Sequence, residues 1–260
     1  MSVLNSIVEG VLLDLEKRRV SDSELAEMIA VASAPMNALN SLQSKSFSVI
    51  SEVKRSSPSK GELAQIPKPE LLAQTYEKAG AAVVSVLTEQ QRFGGSLSDL
   101  QAVKANIGIP VLRKDFIVNE YLVKETRAYG ADLMLLIVAA LDKSELRDFY
   151  QLAEALGMQV LIEVHDQDEL ETALDLNPKI IGVNSRNLKT LEIDLGNFAR
   201  LLPLIPSHIY KVAESGISTI DDVKMARSAG ADAILVGETL VKSGDPFKTI
   251  SDFLNIDNRD

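Results

Sequence analysis

The chain is predicted to be an α/β protein folded as a single (β/α)8 TIM barrel with an N-terminal helical extension, and three observations carry that expectation. Short, nearly all-apolar runs alternate with helical stretches from about residue 47 onward, the pattern of parallel strands covered on one side by helices. The echoes Ala79-Gly-Ala-Ala-Val-Val, Tyr129-Gly-Ala-Asp-Leu-Met and Ala229-Gly-Ala-Asp-Ala-Ile each place a glycine at a helix end just before a strand. These glycines, Gly80, Gly130 and Gly230, recur at intervals of 50 and then 100 residues, which matches two and then four βα units of about 25 residues. The length of 260 residues suits one such domain, so residues 1–260 are expected to form it, with 1–45 as the extension. An open doubly wound sheet is the competing arrangement. Its first βα turn would normally carry a glycine-rich dinucleotide fingerprint, and none occurs.

Residues 3 to about 19 place Leu4, Ile7, Val8, Val11, Leu12 and Leu15 at three- and four-residue spacing and end in Lys17-Arg18-Arg19. That is an amphipathic helix with cations at its C-terminus. Ser21 and Ser23 can cap a second helix through Ala32, whose first turn is acidic from Glu24 to Glu27. Ala34-Pro35 to Lys45 reads as a connection. The first strand then runs from about Phe47 to Lys54, and further strands are expected at 82–87, 110–114, 132–138, 159–164, 180–184, 209–214 and 232–236. Helices are expected at 69–79, 97–106, 118–128, 142–156, 167–175, 197–202, 219–228 and 246–254, with a short extra one from Val236 to Lys242.

Composition narrows the functional classes. A hydrophobic fraction of 46% against 25% charged residues is that of a globular protein. The excess of 37 acidic over 27 basic residues gives a net charge of −10, so neither nucleic acid nor an anionic membrane is an expected partner. There is no cysteine, hence no disulfide framework, thiol nucleophile or thiolate metal site. Glu9, Asp14 and Glu16 interrupt the apolar pattern of the first helix, unlike a secretory signal. The longest apolar runs, such as Leu133 to Leu141, fall far short of a membrane span. Cytoplasmic residence is the resulting expectation.

In such a barrel, polar side chains at the C-terminal ends of strands point into the active-site mouth. Side chains alternate faces along a strand, so Glu52 and Lys54 share one face of the first strand, and Ser56, Ser57, Ser59 and Gly61 behind them offer hydroxyls and N–H groups to an anion. The third strand ends in Lys114, the fifth in Glu163, the sixth in Asn184 with Arg186 beyond, and the seventh in Glu214 and Ser215. One charged strand end is as readily a salt bridge as a functional group. Five strands that deliver such groups to one rim favour proton-transfer chemistry. A phosphate site is suggested by Glu214-Ser-Gly-Ile-Ser218 and by Val236-Gly-Glu-Thr239, which contain Gly216, Gly237 and Glu238. Barrel closure brings Ser57 and Ser59 to the same gap, and the side chain of Glu238 is expected to turn away from it. Phe93 and Phe116 lie in βα loops, where a ring can stack on a planar substrate or serve the core or a lid. His165 shares the face of Glu163 but lacks a neighbouring histidine for a metal site, and His208 reads as loop surface.

Glu52-Val-Lys-Arg-Ser-Ser-Pro-Ser-Lys-Gly61, Val111-Leu-Arg-Lys-Asp-Phe-Ile117, Ile162-Glu-Val-His165, Gly182-Val-Asn-Ser-Arg-Asn-Leu188 and Glu214-Ser-Gly-Ile217 together resemble the indole-3-glycerol phosphate synthase family of tryptophan biosynthesis. The likeness runs in register from about Phe47 to Leu240. It implies ring closure, decarboxylation and dehydration of 1-(2-carboxyphenylamino)-1-deoxy-D-ribulose 5-phosphate to indole-3-glycerol phosphate, CO2 and water, with neither metal nor organic cofactor. It further implies Lys114 as general acid, Glu163 as its acid/base partner, and Lys54 as the group that holds the substrate carboxylate and assists dehydration. Glu52, Asn184 and Glu214 would bind sugar hydroxyls and orient the lysines, and Arg186 the anthranilate end. Ser57, Gly216, Gly237 and Glu238 would form the phosphate cradle; Glu238 stands where some relatives carry serine, which leaves a backbone contact. Gln91-Arg92 departs from the lysine-plus-aromatic pair expected before Phe93. A phosphorylated small molecule is therefore the expected partner, and association with other enzymes of the pathway is compatible with it.

Lys54, Lys60, Lys114 and Arg186 are expected to supply the local positive potential that a chain of charge −10 needs for a doubly anionic ligand. Lys54 and Lys114 are expected to depress each other's pKa toward neutrality. A Schiff-base aldolase, a sugar-phosphate isomerase and a barrel that only binds a phosphorylated ligand stay open as alternatives.

Overall fold

The computed structural model describes residues 3–256. Eight parallel strands close into a barrel: β1 (Ser48–Val53), β2 (Val83–Leu87), β3 (Val111–Lys114), β4 (Leu133–Ile137), β5 (Gln159–Val164), β6 (Ile180–Asn184), β7 (Tyr210–Glu214) and β8 (Ala233–Val236). Sequential strands are neighbours, and β1 closes the ring by pairing with β2 (Ile50 opposite Val83) and with β8 (Ser51 opposite Val236). Nearly every strand residue is buried, which explains the unbroken apolar runs. The alternating helices are α4 (Pro69–Lys78), α5 (Leu97–Lys104), α6 (Glu120–Ala128), α7 (Lys143–Ala155), α8 (Gln167–Leu174), α9 (Gly196–Leu201), α10 (Ile220–Ser228) and α12 (Pro246–Leu254), with the short extra helix α11 (Glu238–Lys242) after β8. Helix starts follow local chemistry. Asp142 and Thr219, for example, each form a reciprocal capping box with the third helical residue of α7 and α10. Among the described residues, no helix is long and apolar enough to cross a membrane.

Three helices precede the barrel: α1 (Val3–Arg18), α2 (Asp22–Val31) and α3 (Ala38–Leu42). The segment expected as a plain connection, 34–45, holds α3, capped by the side chain of Asn37. Its period is too short to show in sequence, and its order comes from packing. Ala38 and Leu42 are fully buried, and the Leu42 carbonyl accepts from Ser48 Oγ at 2.7 Å and Tyr210 Oη at 2.9 Å, the first residues of β1 and β7. α3 therefore sits against the N-terminal end of the barrel. Also absent from the sequence expectation are a two-residue hairpin, Ser56–Ser57 against Gly61–Glu62, and the 3-10 turns Val138–Ala140 and Leu202–Leu204.

Alternation along β3 turns Lys114 toward the mouth and Arg113 outward into the helical layer. Arg113 is fully buried, and its guanidinium donates to Thr88 Oγ1 (3.0 Å), Asp115 Oδ2 (3.1 Å), Glu125 Oε2 (2.9 Å) and Thr126 Oγ1 (3.1 Å). Arg18, at the C-terminus of α1, grips the same Glu125 through two bonds of 2.9 and 3.0 Å. The extension is thus tied through α6 to the back of the strand that carries Lys114. Burial opposes the Glu125 charge, but Arg113 and Arg18 outweigh it and hold the carboxyl below its usual range. A depressed carboxyl contributes stability that is present above its unfolded pKa and lost as pH falls through the folded one.

Removing one partner from a buried ion network leaves an uncompensated charge, at a cost of about 3–5 kcal/mol. Glu125→Ala is expected to lower the unfolding free energy by roughly that amount in urea titrations at neutral pH, with a smaller deficit in acid. An effect below about 1 kcal/mol at neutral pH would contradict the network.

Candidate active site

The C-terminal strand ends bring their polar side chains within bonding distance of one another. Lys114 Nζ lies 3.1 Å from Glu163 Oε2 and 3.7 Å from Glu214 Oε2. Asn184 Nδ2 donates to Glu163 Oε1 at 3.0 Å, and Lys54 Nζ lies 3.4 Å from Glu52 Oε1. Register explains the meeting, since Glu163 pairs with Gly182 on β6 and Asn184 with Glu214 on β7. Gly182 matters because an added Cβ there would stand 2.0 Å from Glu214 Oε1. The missing side chain is the space that the Glu214 carboxylate occupies. Gly237 does the same for Glu52, whose Oε1 would lie 2.4 Å from a Cβ.

Charge in this cluster is set by mutual proximity. Burial opposes the Lys114 cation, yet Glu163, Glu214 and Glu52 outweigh it and push its pKa above the usual lysine value. The expected depression of Lys114 by Lys54 is overturned, because the carboxyl groups of Glu163, Glu214 and Glu52 surround the ammonium. Burial likewise disfavours ionised Glu163, but Lys114, His165 and Asn184 together hold it well below the carboxylate range. Glu214 behaves oppositely: burial and the neighbouring Glu163 charge raise it to about 8, against the pull of Lys114. Neither of its oxygens has a hydrogen-bond partner among the described residues. The group that titrates near neutrality is therefore a glutamate, and Lys114 stays protonated.

Two cavities of about 700 and 750 Å³ meet at this cluster. Glu52, Lys54, Lys114, Arg186 and Ser215 line both, so they are two ends of one cleft. The first end is apolar, walled by Leu4, Ile7, Phe93, Phe116, Leu135 and Ile137. The rings of Phe93 and Phe116 lie 6.2 Å apart at 37°, and Lys54 Nζ sits 5.4 Å from the centre of Phe93. The Phe93 loop is held by hydrogen bonds along its length. Glu89 accepts the backbone N–H groups of Gln91, Arg92 and Phe93, while Gln91 donates to Asp14 Oδ2 (3.1 Å) and Arg92 to Ser6 Oγ (2.8 Å). The unexpected Gln91-Arg92 pair thus docks the loop onto α1.

The second end is polar, lined by Lys60, Ser215, Gly216, Ser218, Gly237 and Glu238. Ser215 and Gly216 have φ of +67° and +77°, and a non-glycine residue in that region stores roughly 1 kcal/mol or more of strain, a recurrent sign of a ligand site. Gly216 also has no room for a Cβ, which would come within 2.6 Å of Ile193 Cγ2. Glu238 does not turn away as expected. It lines the cavity with its carboxylate clasped by Lys60 Nζ (2.6 Å) and Lys242 Nζ (3.0 Å), which neutralise it locally. Ser57 lines the apolar end rather than this one, with its buried Oγ unpartnered among the described residues; Lys60 reaches the polar end from the same loop. Arg186 Nη1 bridges to Ser59 Oγ at 3.1 Å. His208 is at the surface, 3.2 Å from Asn177 Oδ1.

Sequence reasoning therefore located the charged residues but missed Gly182, the α1 side chains in the apolar wall, and the clasp around Glu238. Only Gly182 had a visible trace, as a glycine inside an otherwise bulky strand.

A family model described as indole-3-glycerol phosphate synthase matches residues 4–253. The chain is 54% identical over 256 residues to the indole-3-glycerol phosphate synthase 1 of Streptomyces coelicolor, covering 98% of this chain and 95% of that protein. It is 51% identical to the indole-3-glycerol phosphate synthase of Micrococcus luteus, covering 97% of each. Among solved structures, an N-acetylmannosamine-6-phosphate 2-epimerase from Clostridium perfringens superposes with a TM-score of 0.62 at 14% identity, over 84% of this chain and 96% of that one. That likeness concerns the barrel alone.

Infrared difference spectra across pH test the charge assignment. A band from a buried protonated carboxyl is expected to bleach with a midpoint of about 8 and to be missing in Glu214→Gln. A wild-type spectrum without that band would contradict it.

Proposed function

Because the chain belongs to the indole-3-glycerol phosphate synthase family, whose members are carboxy-lyases of tryptophan biosynthesis, we propose that its own substrate is 1-(2-carboxyphenylamino)-1-deoxy-D-ribulose 5-phosphate. The product would be indole-3-glycerol phosphate, released with CO2 and water. The observation that carries this reading is the two-ended cleft. An apolar slot with two phenylalanines suits an aryl ring, and a polar end with the strained backbone of Ser215, the turn glycine Gly216 and Lys60 suits a phosphate. The proton-transfer cluster lies between them.

In this reading, the aryl carbon that bears the carboxylate attacks the ribulose ketone while Lys114 donates a proton to the ketone oxygen. Loss of CO2 returns the bonding pair to the ring. The new hydroxyl then leaves as water after protonation, and a proton removed from the adjacent methylene completes the pyrrole ring. Lys54, over Phe93, is placed to hold the substrate carboxylate and to protonate the departing hydroxyl. Glu163 accepts and returns protons beside Lys114, a role that its ionised state allows. Glu52, Asn184 and Glu214 bind the ribulose hydroxyls and aim the two lysines. Arg186 serves the anthranilate end, where Phe93 and Phe116 together form an aromatic wall for the ring. Gly216, Gly237 and the backbone at Ser215 and Glu238 take the phosphate. Ser57 would join through its free hydroxyl from the adjoining end of the cleft. The high pKa of Lys114 suits an acid that fires only when negative charge develops on the ketone oxygen, because that oxyanion replaces the carboxylates as its partner.

Residues 1–260 are read as one domain, since Arg18 and the Met36 N–H, bonded to Asp132 Oδ1 at 2.7 Å, join the extension to the barrel. Cytoplasmic residence, the absence of nucleic-acid and membrane partners, and contact with other enzymes of the pathway complete the reading.

Indole fluorescence after addition of the anilino-ribulose phosphate gives a direct assay. Wild type is expected to turn over, with Lys114→Ala and Glu163→Gln each about 10²–10⁴-fold slower in kcat. Retention of near-wild-type kcat in either variant would remove that residue from the chemistry.

A further inference from the structure

His165 stands at the barrel mouth with no task in the reaction as assigned. It follows β5, and its side chain is only 10% exposed. Its Nε2 lies 3.2 Å from Glu163 Oε1, the oxygen that accepts from Asn184, within range of charge attraction but without the geometry of a hydrogen bond. Its Nδ1 lies 2.9 Å from Glu169 Oε2. Both ring nitrogens therefore face carboxylates, an environment that suits the doubly protonated ring.

Glu169 shows that the arrangement exceeds a helix cap. Asp166 is the N-cap of α8, and its Oδ1 accepts from the Glu169 N–H at 2.9 Å. A reciprocal box would send the Glu169 carboxylate back to the N–H of Asp166, as Glu145 does for Asp142 at 3.0 Å. Glu169 reaches one residue further instead, to the His165 N–H at 2.8 Å and to the imidazole. A shifted cap accounts for the backbone contact. It does not account for a ring held between two carboxylates, one of them paired with Lys114.

We propose that His165, oriented by Glu169, is a positioning residue that acts through Glu163, presenting a positive charge to one carboxylate oxygen and so keeping the other ionised and aimed at Lys114. This rests on the role given to Glu163 in the proposed reaction. The charged groups that face the ring are Glu163 from β5 and Glu169 from α8; Lys114 from β3 and Glu214 from β7 reach it only through Glu163. Burial disfavours the imidazolium, but the Glu163 carboxylate beside Nε2 and the Glu169 carboxylate bonded to Nδ1 raise its pKa to about 10. The ring is thus a fixed cation across the neutral range, and its loss raises the pKa of Glu163.

Full-length His165→Gln and Glu169→Gln provide the test. For His165→Gln, kcat is expected to fall roughly tenfold with KM within about twofold. The acid limb of kcat/KM should move up by about one pH unit, and Glu169→Gln should shift it in the same direction by less. A merely structural role would lower the thermal midpoint and leave the limb in place, so superimposable pH profiles overturn the proposal. Nitrogen NMR of the wild type answers even if the variants fail to fold, since the chain has only 2 histidines. Both His165 ring nitrogens should stay protonated from about pH 6 to 8, and a neutral tautomer in that range overturns the proposal. If wild type made no indole, the assignment of function would fall, while the NMR titration would still report on the His165 charge.

Discussion

The Lys114–Glu163 ion pair governs the rest of the mouth. Two charges buried together are stable only when geometry and extra hydrogen bonds repay the loss of water. Glu163 meets that condition with Lys114 bonded to one oxygen and Asn184 to the other, beside which His165 Nε2 stands 3.2 Å away. Lys114 has in addition a second carboxyl neighbour, Glu214 at 3.7 Å. The same crowding leaves too few cations for the acids present, so one carboxyl, Glu214, holds its proton to higher pH. A single constraint thus produces a fixed cation, a fixed anion and a neutral acid within one rim.

That rim depends on features far from it. Parallel register sets Glu163 against Gly182 and Asn184 against Glu214, and the bare Cα of Gly182 leaves room for the carboxylate. Behind β3, Arg113 and Glu125 fix the strand from its outer face while Arg18 fastens α1 to them. α1 then supplies Leu4 and Ile7 to the apolar wall, and the Phe93 loop is pinned onto it by Gln91 and Arg92. The extension is part of the cleft as well as a cover for the barrel. A chain of charge −10 concentrates Lys54, Lys60, Lys114 and Arg186 around a cavity meant, in our reading, for an anion.

Most of the fold was legible because parallel strands under helices give continuous apolar runs, and the barrel strands fell where those runs predicted. The eight-strand count held because each βα unit repeats its own stop and start signals. α3 was not legible, since five residues show no helical period and the Asn37 cap is too little to hold them without tertiary contacts. In the site, alternation along strands and the C-terminal rule placed Glu52, Lys54, Lys114, Glu163, Asn184 and Glu214 together, as the structure does. What failed was everything that depends on distances between strands. The direction of the Lys114 shift reversed because sequence shows which lysines are present but not how many carboxylates surround each one. Glu238 stayed on the cavity because Lys60, 178 residues away in sequence, reaches it. Ser57, expected at the phosphate gap, lines the apolar end, while Lys60 from the turn of the same hairpin reaches the polar end.

The central claim is that one cleft takes an aryl ring at its apolar end and a phosphate at its polar end, with Lys114, Glu163 and Glu214 between. A crystal structure of the protein with indole-3-glycerol phosphate bound measures this directly. The indole is predicted against Phe93 and Phe116, and the phosphate against the backbone of Ser215, Gly216 and Gly237, with Lys60 freed from Glu238 to meet it. A product bound in the reverse direction, or outside the rim, would contradict the account.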